Sequence, residues 1–269
     1  MANFYKVVTE AINDIDRHGL DSGVRLKNWL DRIAAAAVRT LTSQRRREAE
    51  LKLALKSIYT KLVDRGGLVK LHPGVSLFTL KSLKPGLKIE LDRRIMASAN
   101  LIRLNRNVAI QRTLQRFSGW ASSVPSGGNS ASSKVDTKAE IRKTLTQLPF
   151  EERRVLIDQG HKLTSAISDI VATNGGAIAA RWHSNWRQQN YAYREQHKNR
   201  DGDVFAVRGC WAFQDGLMNK GSGFTDEIEQ PAELPYCRCR YQYFYNLRDL
   251  PEDMLTAKGK AELKRVRVS

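Results

Sequence analysis

The chain has 269 residues, of which 41% are hydrophobic and 27% charged, and its formal net charge is +17. These proportions exclude an intrinsically disordered chain, and no apolar run approaches the roughly 18 residues that a membrane-spanning helix requires. The N-terminus lacks the apolar stretch of a secretion signal, and three cysteines do not make a disulfide framework. We therefore expect a protein that stays in the reducing compartment where it is made.

The positive charge is concentrated in the front half of the chain. Residues 1–120 contain 23 Lys/Arg against 10 Asp/Glu, whereas residues 121–269 contain 22 against 18. The usual partner of such a surface is a polyphosphate, because released counterions drive binding. A solvated basic face without a partner and an acidic membrane surface are the alternatives.

Hydrophobic periodicity predicts helices in the front half. Residues 2–18 form an amphipathic pattern, and residues 22–63 continue with apolar side chains at three- and four-residue steps. Residues 68–92 are short apolar runs bounded by Pro-Gly pairs, which predict one or two strands or an extended arm. Residues 93–118 are predicted to be helical again.

Arginines are the candidate DNA contacts of this half. The segment 93–118 contains six arginines and no acidic residue, and they pair on shared helix faces at three- and four-residue spacing. We expect an external anion, rather than an internal carboxylate, to compensate these charges. The predicted electrostatic DNA-binding residues are Arg45, Arg46, Arg47, Arg93, Arg94, Arg103, Arg106, Arg112 and Arg116.

A Ser/Gly-rich segment at 121–136 is predicted to be a flexible linker between domains. After it, residues 137–250 contain a helix that Pro149 is expected to end, a helix over 151–173, a helix over 177–189, and then short strands and turns. Residues 251–269 are predicted to form a short helix, over 252–264, and a basic tail.

The predicted fold class is therefore α+β and predominantly helical. A basic, mainly helical region over 1–120 precedes a module of helices and short strands over 137–250, which has a loop-rich end.

All three cysteines lie in the second half. Cys237 and Cys239 flank one residue, so that both sulfurs of an extended strand would point to the same side. With His197 and Cys210 they provide three thiolates and an imidazole, a complete tetrahedral set for zinc. The alternative is that the cysteines are buried as small hydrophobic side chains and that His197 is a hydrogen-bonding residue in a turn.

Signatures of catalysis are sparse. The sequence has no Walker loop, no dinucleotide fingerprint and no HExxH motif. His197 with Asp201 or Asp203 could form an acid/base or metal-nuclease pair, but these carboxylates fit solvated loops better. We expect a protein that is not an enzyme, with a metal-dependent nuclease or a nucleic-acid-binding regulator as the alternatives.

The second half resembles the phage head morphogenesis family, the minor capsid proteins similar to the Mu F protein. The resemblance covers roughly residues 150–250 and has three parts. A helix rich in small residues and ending near a Trp is expected from Ala177 to Trp186, an Arg-x-x-His-x-x-x-x-Gly-x-x-Phe element follows, and a Pro-x-Cys-Arg-Cys element precedes an aromatic-rich strand. The residues that carry the last two elements are Arg194, His197, Gly202, Phe205, Pro235, Cys237, Arg238 and Cys239.

This resemblance implies a non-enzymatic virion protein. It implies a place inside the capsid, after synthesis in the host cytoplasm, and contact with the portal or the major capsid protein. It also implies a role in head assembly and in packaging or retaining double-stranded DNA. Many members carry a second cysteine pair near the histidine element, where this chain has Arg194 and His197. A four-thiolate zinc site is therefore excluded.

Overall fold

The computed structural model describes residues 2–268, with side chains as far as residue 265. Helices predominate, and one small antiparallel sheet lies in the second half, so the predicted α+β, predominantly helical class is confirmed. The helices are α1 Ala2–His18, α2 Gly23–Thr40, α3 Gln44–Tyr59, α4 Gly67–Leu71, α5 Leu77–Ser123, α6 Lys134–Asn174, α7 Glu195–Asn199, α8 Trp211–Gln214 and α9 Ala257–Val268. The strands are β1 Ala179–His183, β2 Val204–Ala206 and β3 Arg240–Phe244. Within residues 2–268, none of the helices combines the length and apolarity needed to cross a bilayer.

The chain divides into two compact units, each assembled from two stretches. The first comprises the residues up to 51 together with 97–155, and the second comprises 52–96 together with the residues from 156 onward. The long helices α5 and α6 contribute residues to both units. The predicted boundary at 121–136 therefore falls inside the first unit.

The Ser/Gly-rich segment is an anchored loop between α5 and α6. The backbone N–H groups of Asn129 and Ser130 donate to the carbonyl and the carboxylate of Asp16, at 2.7 and 3.0 Å. Lys134 adds an ion pair to the same carboxylate at 2.6 Å. The linker prediction is corrected, because one buried acidic side chain holds this loop in place.

The first unit has its own apolar core. The amphipathic face predicted for residues 2–18 is buried, as expected for α1, and it packs on apolar residues of the other helices of this unit. The largest fully buried side chains of this core are Phe4, Ile12, Ile15, Ile33, Phe117, Ile141 and Leu145.

The helix predicted over 22–63 is two helices. The chain leaves α2 at Leu41, whose backbone is extended, and α3 begins after Ser43. The Ser43 hydroxyl accepts the N–H of Arg46 at 3.3 Å, which satisfies one of the unpaired donors at the start of α3.

The strands predicted over 68–92 are absent, and α4 and the start of α5 lie there instead. Leu80, Leu87 and Leu91 are buried at seven- and four-residue spacing, which is a helical period. Ser76 caps α5 by accepting the N–H of Thr79 at 3.1 Å. The Pro-Gly pair at 85–86 lies inside the helix, since burial of this face outweighs the lost hydrogen bond.

Two predictions in the second half are also corrected. The break at Pro149 does not occur, because α6 runs through it with Leu148 and Val155 buried on either side. The helix predicted over 177–189 is replaced by β1, which follows a turn where Gly176 has a φ of 78°. Glycine adopts this left-handed conformation without steric cost.

The sheet has the order β2-β1-β3 and is antiparallel throughout. Ala180 of β1 lies opposite both Phe205 and Tyr243, and Trp182 lies opposite Tyr241. This register places Trp182 and Phe205 in one buried cluster with Cys237 and Cys239. At the C-terminal end, α9 begins at Ala257 and continues to Val268, later at both ends than the predicted helix over 252–264.

Candidate metal centre

His197, Cys237 and Cys239 come together at one buried point. The imidazole Nδ1 of His197 lies 3.5 Å from the sulfur of Cys237 and 3.5 Å from that of Cys239. All three candidate ligand atoms lie within 4.8 Å of one another, and among the described residues this is the one such group that could hold a metal ion. The prediction that both sulfurs face one site is confirmed.

These distances fit a tetrahedral metal site. Bonds of about 2.3 Å to sulfur and 2.0 Å to nitrogen, at a tetrahedral angle, separate the sulfur from the nitrogen by about 3.5 Å. The two distances from His197 Nδ1 to the sulfurs have this value. The three candidate ligand atoms are therefore close enough together to share one metal ion.

Local backbone geometry positions each ligand. His197 lies on the short helix α7, and its ring contacts the ring of Trp182 edge-on at a centroid distance of 5.2 Å. Cys237 and Cys239 lie immediately before β3, after a turn in which Tyr236 has a φ of 61°. The Asp158 carboxylate accepts the N–H of Tyr236 at 2.6 Å and fixes this turn.

The three ligands are closed off from solvent. Relative exposure is 2% for His197, 0% for Cys237 and 5% for Cys239. Closed, protein-lined sites are typical of structural zinc, whereas catalytic sites keep a position open to substrate.

The thiols of Cys237 and Cys239 change each other's acidity. A hydrogen bond between the two thiols lowers the pKa of Cys237 to about 5 and raises the pKa of Cys239. One thiolate is therefore readily available, and a metal ion, which binds thiolates, would have to displace the second proton.

Cys210 does not join this group, and this part of the four-ligand prediction is wrong. Its side chain lies in a separate apolar cluster with Ile178, Ala212 and Phe244. Burial raises the pKa of the Cys210 thiol. This cysteine is a small buried hydrophobic residue, as the alternative interpretation of the cysteines held.

Polar atoms near the ligands lack partners. The Nε2 of His197 and the indole N–H of Trp182 are buried without a hydrogen-bond partner among the described residues. Buried polar groups are ordinarily satisfied, so such a concentration indicates that a ligand or an ordered water completes the site.

The other motif residues surround the same site. The Arg194 guanidinium donates to the carbonyl of Pro235 at 3.0 Å, and this contact ties the start of α7 to the cysteine segment. The N–H of Gly202 donates to the carbonyl of Trp182 at 2.9 Å, with Gly202 at a φ of 96°. Phe205 packs against the ligands, and the Arg238 N–H donates to the hydroxyl of Tyr191 at 3.1 Å.

The carboxylates considered as catalytic partners are not placed for that role. Asp201 accepts the N–H of Ser184 at 2.8 Å and the indole N–H of Trp186 at 3.0 Å. Neither Asp201 nor Asp203 belongs to the group around His197.

Most of the predicted DNA-binding arginines have an internal carboxylate partner, so the expectation of an external anion is wrong for them. Glu90 binds Arg93 and Arg94, Glu50 binds Arg46 and Arg47, and Glu140 binds Arg116. Glu152 binds Arg106 and Arg47. Among the described residues, Arg45, Arg103 and Arg112 have no carboxylate within 4.0 Å.

The pair of Arg106 and Glu152 is buried, with side-chain exposures of 8% and 5%. Their nitrogen and oxygen are 2.5 Å apart, and Arg106 also donates to the carbonyl of Thr42 at 2.8 Å. Arg106 is therefore a structural residue of the first unit and is not available to DNA.

Sequence reasoning missed a polar network around His72. The His72 ring nitrogens lie 2.5 Å from the Tyr245 hydroxyl and 2.9 Å from the Ser168 hydroxyl. Burial lowers the pKa of His72 to about 4. The sequence signal was too weak to find this cluster, because its members are 96 and 173 residues from His72.

Comparison with known protein families, with curated proteins and with solved structures found no match to this chain.

Proposed function

We propose that His197, Cys237 and Cys239 hold a structural zinc ion. The observation that carries this proposal is the pair of 3.5 Å distances from His197 Nδ1 to the two sulfurs, which equal the edges of a tetrahedral zinc site. Thiolate and imidazole ligands favour zinc over magnesium or calcium, which prefer oxygen. The fourth ligand is a group other than Cys210.

The zinc ion would supply cross-linking rather than chemistry. His197 on α7 and the cysteines before β3 are about forty residues apart in sequence, and the intervening chain contains only short helices and strands. Such a segment gains stability from a clamp, because the free energy of metal binding becomes free energy of folding.

We further propose that the chain is a minor capsid protein of the phage head morphogenesis type. The support is that residues of the histidine and cysteine elements converge on the clamp: Arg194 contacts Pro235, Gly202 contacts Trp182, and Phe205 packs with the cysteines. The module would dock on the portal protein or the inner capsid, and it would assist head assembly and DNA packaging or retention.

Contact with packaged DNA would be electrostatic and independent of sequence. In the front half, this contact would be made by Arg45, Arg103 and Arg112, because the other candidate arginines are already paired with carboxylates. Binding of this kind weakens steeply with salt.

Mass spectrometry of purified particles from the phage or prophage that encodes the chain tests this role. We expect the protein at a few to some tens of copies per head. Its presence in infected cells together with its absence from particles would contradict the capsid role. That result would leave the zinc proposal standing, since zinc is measured on the isolated protein.

A metal-dependent nuclease is the second candidate. It is favoured by the number of protein ligands, since three rather than four are positioned, as in catalytic zinc sites. Incubation of plasmid DNA with the protein and divalent metal separates the two functions. Cleavage that His197→Ala abolishes would support the nuclease, and no cleavage would support the structural clamp.

A further inference from the structure

Three aromatic rings line the surface of the segment that precedes α7, and they belong to Trp186, Tyr191 and Tyr193. Trp186 and Tyr193 meet edge to face at a centroid distance of 6.5 Å. Tyr193 is exposed at 37%, and Trp186 and Tyr191 are partly exposed. Rings on a surface offer apolar faces that water solvates poorly, so an exposed group of them marks a binding surface.

Cationic side chains lie over each of these rings. The Arg187 guanidinium is 4.7 Å from the centroid of Trp186, and the Lys198 ammonium is 5.4 Å from Trp186 and 5.5 Å from Tyr193. The Arg238 guanidinium is 5.0 Å from the centroid of Tyr191. The surface therefore alternates cations with π faces.

Hydrogen bonds join the two halves of this surface. The side-chain amide of Asn185, next to Trp186, donates to the carbonyl of Arg238 at 3.0 Å. The N–H of Arg238 donates to the hydroxyl of Tyr191 at 3.1 Å. Trp186 is itself oriented by the bond from its indole N–H to Asp201. The rings and cations thus form one continuous, oriented surface, here named the aromatic–cationic surface.

The charge of the aromatic–cationic surface is available to a ligand. Among the described residues, Arg187, Arg194 and Arg238 have no carboxylate within 4.0 Å. Lys198 has one, Glu195 at 3.5 Å, but this pair is solvent-exposed, with 68% exposure for the glutamate. The three arginines therefore carry the unpaired charge of this surface.

We propose that the aromatic–cationic surface binds single-stranded nucleic acid. Cations that track a phosphate backbone, together with rings on which bases stack, are the two components of single-strand binding sites. A duplex buries its base faces inside the helix and could use only the cations. The proposal does not depend on the capsid role, and it uses residues distinct from the front-half arginines.

Fluorescence anisotropy with a labelled oligothymidine of about 12 nucleotides tests the proposal on the full chain as purified. A duplex of equal length, which the front-half arginines would also bind, is measured at the same salt concentration, and we expect substitutions in the aromatic–cationic surface to weaken the binding of the oligothymidine more than that of the duplex. Tyr193→Ala should weaken oligothymidine binding about tenfold, since each stacked base contributes that order of affinity. Tyr193→Phe retains the ring and should restore binding, which separates stacking from folding.

The charge component is tested by salt titration. Replacing both Arg187 and Arg238 with Gln should make the dependence of log affinity on log salt shallower by about 1.4, at roughly 0.7 per phosphate contact. Trp211→Ala and Arg248→Gln are matched controls, because Trp211 is 44% exposed and lines a different cavity together with Arg248. Both controls should leave affinity and slope unchanged.

Two results would overturn the proposal. One is a loss of duplex binding in Tyr193→Ala as large as the loss of oligothymidine binding, which would reduce the surface to an unspecific cationic patch. The other is an equal loss of affinity in Tyr193→Ala and Trp211→Ala, because stacking at this surface would then contribute nothing particular.

Discussion

The arginines of the front helices and those around the metal centre differ in what surrounds them. In the front half, Glu50, Glu90, Glu140 and Glu152 neutralise six of the nine candidate arginines. Around the metal centre, Arg187 and Arg238 lie over aromatic rings and have no carboxylate partner among the described residues. Arg187 and Arg238 are thus more freely available than most of the front-half candidates. A charge count along a sequence therefore says little about which charges remain available to a ligand.

The two regions also differ in how they are held together. The first unit has an extensive apolar core that includes Phe4, Ile33 and Phe117. The cluster around the metal centre has four buried members, two of which are the cysteines Cys237 and Cys239. We expect the first unit to be stable by itself. We expect the packing of the cluster around Cys237 and Cys239 to depend on bound metal.

The largest expected effect is metal removal. Chelation should lower the free energy of unfolding of the clamp region by several kcal/mol, since metal binding contributes directly to folding. The near-ultraviolet circular dichroism, to which the buried Trp182 of the clamp contributes, should change. The far-ultraviolet signal of the first unit's helices should largely persist. An unchanged melting profile after chelation would contradict the proposed difference between the two regions.

Breaking the buried ion pair is next in size. Glu152→Gln leaves the Arg106 guanidinium buried without a counter-charge, which should cost about 3–5 kcal/mol of unfolding free energy. Glu140→Gln is the matched control, since Glu140 is 58% exposed and its pair with Arg116 should contribute at most about 1 kcal/mol. Urea denaturation measures the unfolding free energy of both variants. Equal losses of unfolding free energy would show that Arg106 is not structural.

A pH effect of about 3 kcal/mol is expected from His72. In the folded chain its pKa is about 4, whereas in the unfolded chain it takes up a proton below about 6.5. The unfolded state therefore binds more protons between these values, and the contribution of His72 to stability is present above pH 6.5 and lost as pH falls to 4.

Comparing His72→Gln with the parent chain across this window isolates the His72 contribution. The stability difference between the two should shrink as pH falls. The substitution His18→Gln, at a more exposed histidine, serves as the control for loss of an imidazole. A constant difference for His72→Gln would contradict the burial of a neutral imidazole.

Replacing Arg45, Arg103 and Arg112 should have the smallest effect on stability and a clear effect on DNA binding. Their joint replacement by Gln should make the salt dependence of duplex binding shallower by about 2.7, at roughly 0.9 per contact. Replacing Arg46, Arg93 and Arg116, which are paired with carboxylates, should change this salt dependence less. An equal change in both variants would mean that ion pairing does not decide which arginines reach DNA.

Local patterns predicted part of this fold well. The amphipathic helix over 2–18, the stop at the two glycines after Asn174 and the predominance of helix followed from periodicity and turn chemistry. Pro85 and Pro149 were misleading, because tertiary burial of leucines on both sides holds the helices through them. The segment from Ala177 was also misread, since small residues fit a buried strand as well as a helix.

The candidate site was partly predictable. The spacing of Cys237 and Cys239 indicated that both sulfurs face one point, and His197 lies at that point with them. Cys210 was wrongly included, because sequence order does not reveal which cluster a cysteine joins. The aromatic–cationic surface went unnoticed, although alternating Trp, Tyr, Arg and Lys between 182 and 198 could have indicated it.

The most direct test of the metal centre is native mass spectrometry of the purified chain. The account predicts one zinc ion per chain, retained in Cys210→Ser and lost in Cys237→Ser and in His197→Ala. Absence of zinc from the parent chain, or its loss in Cys210→Ser with retention in Cys237→Ser, would contradict the clamp.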